Sequence, residues 1–132
     1  MDNHPDFGLW DKHPVCGMFA TALVTGRRVS AIKKEFKKRY GLCDKWQGRS
    51  PVAWNINAIM RSGRKPKQFE LKKRRTLRKW VEWEADKKSR YFLSTRDHIV
   101  LYKAGKVYDQ MGIWKLENHF SKNQVVVSAW RV

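Results

Sequence analysis

Between Cys16 and Gly26 the chain is apolar nearly all round a helical projection, through Met18, Phe19, Ala20, Ala22, Leu23 and Val24. Such a run, stopped by glycine, predicts a helix over Cys16–Thr25 that lies inside a core rather than on a surface. Before it, Met1 to Val15 holds Asn3, Pro5, Gly8 and Pro14 and reads as loop. After it, Ile32, Phe36 and Tyr40 recur at four-residue intervals among lysines. They predict an amphipathic helix from Ala31 to Tyr40, capped by Ser30 and ended by Gly41. Leu42 to Arg49 reads as loop. Ser50-Pro51 then predicts a third helix, with Ser50 as cap and Pro51 at its first position. It carries Val52, Trp54, Ile56, Ile59 and Met60 and stops at Gly63.

Beyond Gly63 the period shortens. Lys67 to Lys72 alternates around Phe69 and Leu71 as a short strand, and Thr76 caps a helix from Leu77 to about Asp86. Arg90 to Arg96 reads as a strand, followed by a hairpin over His98–Asp109 that turns at Ala104-Gly105. Met111 to Asn123 reads as a loop around Ile113, Trp114, Leu116 and Phe120. Gln124 to Val132 reads as a last strand, with Val125, Val127 and Ala129 on one side and Val126, Ser128 and Trp130 on the other. Helices first and strands last predict an α+β fold: N-terminal helices, Cys16 on the buried one, packed on a C-terminal antiparallel sheet. The whole of residues 1–132 is expected to be a single domain.

The hairpin has a consequence for chemistry. A two-residue turn pairs Lys103 with Lys106 and puts His98, Val100 and Tyr102 on one face with Val107, Asp109 and Met111. His98 and Asp109 become diagonal neighbours, roughly 7 Å apart between Cα atoms. A three-residue loop would place Gln110 beside His98 instead. An imidazole oriented by a carboxylate calls for a nucleophile, and Cys16 is the candidate. It opens the apolar helix, where backbone N–H groups and the helix dipole favour a thiolate and should depress its pKa. The same N–H groups, at Cys16 and Gly17, are placed to meet an oxyanion. The alternative is an inert buried thiol.

Composition widens the reading. The formal net charge is +17, which implies a polyanionic partner or surroundings. Lys72, Lys73, Arg74, Arg75, Arg78 and Lys79 place six cations in eight residues, a pattern suited to salt-sensitive binding of phosphate. Their other reading is a solvated face. Arg27, Arg28, Lys33, Lys34, Lys37, Lys38 and Arg39 form a second cluster. No segment reaches the roughly 20 apolar residues of a membrane span, and Asp2, Asp6 and Asp11 argue against a signal peptide. Cys16 and Cys43 make no disulfide framework. His4, His13, Cys16, Cys43, His98 and His119 lack metal-ligand spacing, so neither metal nor cofactor is expected. His4, His13 and His119 read as plain loop histidines.

The order of these features resembles the small papain-like cysteine peptidases encoded by tailed bacteriophages. The likeness runs through Cys16-Gly17-Met18-Phe19-Ala20-Thr21-Ala22-Leu23-Val24-Thr25-Gly26, Gly48-Arg49-Ser50-Pro51, Thr76-Leu77-Arg78-Lys79-Trp80, the His98–Asp109 hairpin and Ser128-Ala129-Trp130-Arg131-Val132. It implies a papain-like fold in which Cys16 is nucleophile, His98 general base and acid, and Asp109 the residue orienting the imidazole. Papain-like enzymes often place a Gln shortly before the cysteine to complete the oxyanion hole. None precedes Cys16, which leaves Gly17, His13 and Asn3 as oxyanion candidates. The resemblance implies a thiol hydrolase acting on a polypeptide or peptide-like substrate in the cytoplasm of an infected bacterium, with basic surfaces that dock it. The competing reading is an inactive relative that grips nucleic acid or an acidic host protein.

Overall fold

Gly17 to Val24 are all buried, so the apolar run near the N-terminus becomes the central helix of the fold. The computed structural model describes residues 1–132. Its helices are α1 (Cys16–Thr25), α2 (Val29–Tyr40), α3 (Val52–Arg61) and α4 (Leu77–Glu84). Its strands are β1 (Lys67–Gln68), β2 (Arg90–Thr95), β3 (Ile99–Lys103), β4 (Lys106–Asp109), β5 (Gly112–Lys115) and β6 (Val126–Arg131). All six pair antiparallel in the order β1-β6-β2-β3-β4-β5, which confirms the α+β class. No helix is long and apolar enough to cross a membrane.

Both faces of the sheet are covered. Phe92, Ile99, Leu101 and Tyr108 pack against α1, α2 and α3 in one cluster. Tyr91, Leu93, Val100, Tyr102, Val107, Val126 and Ala129 pack under α4 through Leu77, Trp80 and Val81 in the other. That is why β2 and β3 are nearly continuous apolar runs: either face of each strand meets a core. Deleting a side chain such as Phe19 or Phe92 should cost about 3–5 kcal/mol.

The hairpin register is as the sequence implies. Lys103 pairs with Lys106 and Leu101 with Tyr108, across a turn in which Ala104 and Gly105 both have positive φ, 49° and 85°. Gly26 and Gly41 close α1 and α2 in the left-handed conformation, and the Thr76 side chain caps α4.

Four expectations need correction. Met111 to Asn123 is not a plain loop: Gly112–Lys115 adds β5 to β4, and two 3-10 turns follow, Leu116–Asn118 and Phe120–Asn123. The final strand does not alternate cleanly, because its register with β2 shifts between Ser94 and Thr95. That bulge turns Val126 and Ala129 to the same core and leaves Val127 exposed. Neither Ser30 nor Ser50 caps a helix. Instead the carboxylate of Asp6, brought from the N-terminal segment, accepts the Val29 N–H at 2.7 Å, while the Ser50 hydroxyl accepts from Asn55 at 2.8 Å. Cys16 itself is half-buried, although its helix is not.

Candidate functional site

One cleft of about 540 Å³ opens where α1 begins, at the end of the sheet that carries the β2–β3 and β4–β5 turns. Cys16, His98 and Asp109 all line it, together with Gly17, His13 and Arg49. A thiol near the N-terminus, an imidazole more than eighty residues later and a carboxylate at the end of β4 therefore line one concavity.

Cys16 starts α1, and no side chain caps that end, so its first-turn N–H groups remain for the cleft. Burial pushes the thiol above its ordinary pKa. The N–H groups of Ile99, Gly17 and Cys16 and the charge of Arg49 oppose the rise without cancelling it. The expected depression is thus overturned: desolvation outweighs the helix terminus at this half-covered sulfur.

Gly17 is a glycine for steric reasons. A β-carbon there would lie 2.6 Å from Asn55 Nδ2 and 3.1 Å from the Ser50 hydroxyl. Asn55 is wholly buried, and its amide donates to Ser50 Oγ at 2.8 Å and to the Pro51 carbonyl at 3.0 Å. Its carbonyl accepts from Thr21 at 2.9 Å, which ties α1 to α3 beside the thiol. Sequence reading overlooked Asn55, whose only signal is a polar residue on the apolar stripe of α3.

His98 enters from the β2–β3 turn. Its backbone carbonyl accepts from the Thr95 N–H at 2.8 Å, and its ring packs 5.1 Å from Phe120 and 6.1 Å from His119 between centroids. Its Nε2 is buried without a partner. Burial lowers its pKa below 6.5; the nearby Asp109 charge resists this and His119 reinforces it. The ring is neutral at neutral pH.

Asp109 does not bond to His98, contrary to the assigned orienting role. Its Oδ2 accepts from His119 Nε2 at 2.7 Å. Its Oδ1 accepts the Met111 and Gly112 N–H groups at 2.9 and 3.1 Å and the Trp114 indole at 3.1 Å. The cause is β5: a tight return after Asp109 turns its carboxylate into the acceptor that closes the turn. His119, read from sequence as a plain loop residue, is 2% exposed.

His98, Asp109 and His119 present ligand atoms within 4.8 Å of one another, the spacing of a metal site. The hydrogen bonds around them favour a proton over a cation. Ser121 donates its backbone N–H to His119 Nδ1 at 3.1 Å, so Nδ1 is the acceptor and Nε2 carries the hydrogen given to Asp109. A metal on Nε2 would need the opposite tautomer, with two N–H groups facing each other at Ser121.

Of the oxyanion candidates, Gly17 and His13 line the cleft and Asn3 does not. The chain around Asn3 is drawn elsewhere, by Tyr108 donating to Asp2 and by His4 bonded to the Arg27 carbonyl. Gln110 lines the cleft, but its amide donates to the carbonyls of Trp10 and His13 and so pins the N-terminal loop. In the basic segment Lys72, Lys73, Arg74, Arg78 and Lys79 are exposed. Arg75 is held by Glu84 at 2.9 Å and lies over the Trp83 ring.

Fold and site together define an α+β domain with a thiol and a neutral imidazole on one cleft. No protein family, curated protein or solved structure matches the chain.

Proposed function

We propose that the protein is a papain-like thiol hydrolase that cleaves an amide or isopeptide bond in a polypeptide or peptide-like substrate, in the cytoplasm of a phage-infected bacterium. The observation that carries this reading is the shared cleft of Cys16 and His98. The neutral imidazole takes the thiol proton as Cys16 Sγ attacks the carbonyl carbon. The uncapped N–H groups at Cys16 and Gly17 meet the oxyanion, and the missing β-carbon of Gly17 lets Asn55 and Ser50 pack against the start of the helix that carries them. His98 then returns the proton to the leaving amine, and water hydrolyses the thioester. The Asp109 charge steadies the imidazolium from a distance, while His119 holds Asp109 in place.

A second reading has its own support: a raised thiol pKa and a carboxylate committed to His119 suit a papain-like protein that has lost its chemistry and only binds. Iodoacetamide labelling followed by mass spectrometry separates the two. Left to its surroundings, the half-buried Cys16 should label more slowly than the exposed Cys43. A hydrolase gives the reverse order near pH 7, at least about tenfold in favour of Cys16, and His98→Ala abolishes it. Slow labelling of Cys16 that is indifferent to His98→Ala refutes the hydrolase.

A further inference from the structure

The opposite end of the sheet carries cations in register. Arg90 on β2 pairs with Lys103 on β3, Lys103 with Lys106 on β4, and Lys106 with Lys115 on β5. Directly paired residues share a face. The four side chains therefore form one row, about 14 Å long at about 4.8 Å per strand. Like charges set directly opposite each other destabilise a sheet, so the row calls for an anion.

Little in the chain supplies one. A second cavity, of about 400 Å³, contains Arg90, Lys103 and Lys106, and the only carboxylate lining it is Asp2. That carboxylate already accepts from the Tyr108 hydroxyl at 2.9 Å. None of the four cations takes part in an ion pair. The Nε of Arg90 is buried with no hydrogen-bond partner, and both burial and the neighbouring Arg64 disfavour its charge. A guanidinium whose Nε has no partner, with a second guanidinium near it, favours an oxyanion as its neighbour. Lys103, Lys106 and Lys115 are exposed and continue the row outward.

We propose that this row binds the phosphodiester backbone of a nucleic-acid strand. A lone phosphate would engage only part of it. A single strand carries one phosphate per nucleotide, a continuous series that the four cations can engage together. The half-buried Arg90 fixes one phosphate with its fork, and the lysines follow the chain as point charges. The site is separate from the six cations between Lys72 and Lys79. It lies about 14 Å along β3 from the cleft, and it stands whether or not Cys16 reacts.

The test is fluorescence anisotropy with a labelled single-stranded 20-nucleotide DNA on the full chain, from low to physiological salt. Lys103→Glu/Lys106→Glu is compared with Lys12→Glu/Lys45→Glu, which changes the net charge equally outside the row and outside both basic clusters. All four positions are exposed, and a melting curve of each variant is the check that it folds. The row variant should bind at least about tenfold more weakly and flatten the salt slope by about 1.4, two contacts at about 0.7 each. The control should change affinity by less than about threefold. Equal losses in the two variants would mean that only net charge matters and would overturn the site, as would absence of salt-dependent binding. Competition by poly-L-glutamate as strong as by unlabelled DNA at matched charge would reassign the row to acidic protein and also overturn the proposal.

Discussion

Asp109 is a buried carboxylate with four donors, three on Oδ1 and one, His119, on Oδ2. Burial alone would raise its pKa, but His119, the Trp114 indole and the Met111 N–H bind the charged form and hold it below 3.8. A depressed carboxyl contributes stability that is complete above the ordinary value and is lost as pH falls through the lower folded one. His119→Ala leaves Oδ2 buried and unpaired, so it should destabilise the protein at pH 7 by about 3 kcal/mol. The deficit should shrink as pH falls below the ordinary aspartate value and through the lower folded one, where the carboxyl takes up protons in both proteins. Urea midpoints between pH 7 and pH 3 measure it, and a deficit independent of pH would show that His119 serves only as packing. Nothing local in the sequence announces this pair. Asp109 is readable as a strand-end acid, but its choice of His119 over His98 depends on a turn at Gly112 and two 3-10 turns that have no period to detect. Cys16 and His98 were readable because each sits at the start of an element with a strong pattern of its own.

Among the elements, those whose signals are local are the ones the sequence reveals. The all-apolar face of α1, the glycine stops of α1 and α2 and the Thr76 cap each depend on neighbours within a few residues. The cap of α2 does not. Asp6 lies twenty-three residues before Val29, and it pairs with Arg28 at 2.7 Å. The extra residue in β6 is equally silent, because a bulge is set by the partner strand. The hairpin turn was legible in place but carries strain that composition hides. Ala104 sits at φ 49°, where a β-carbon costs about 1–2 kcal/mol. Asn tolerates that conformation and is favoured before Gly in such turns. Ala104→Asn should raise the Tm by about 2 °C with the fold unchanged. Differential scanning calorimetry reads this directly, and a lower Tm would mean that the strain is already relieved by the Gly105 N–H donated to Tyr102.

Across the whole molecule, the sheet separates two kinds of surface. Its one end holds a thiol, a neutral imidazole and a paired carboxylate in a cleft; its other end aligns Arg90, Lys103, Lys106 and Lys115. Composition showed the charge of +17 without its arrangement, because the row exists only once four strands are in register. Lys106 is the informative position, since it stands between Lys103 and Lys115. Lys106→Glu replaces two like-charge pairs with two opposite ones, each worth about 0.5 kcal/mol in a sheet. The free protein should therefore melt about 3–4 °C higher at low salt. That gain should vanish near 1 M salt, where the screening length falls to about 3 Å. DNA should bind to the same variant more weakly, so stability and affinity move in opposite directions. A variant that is both less stable and weaker in binding would indicate that Lys106 supports the hairpin and that the row carries no ligand.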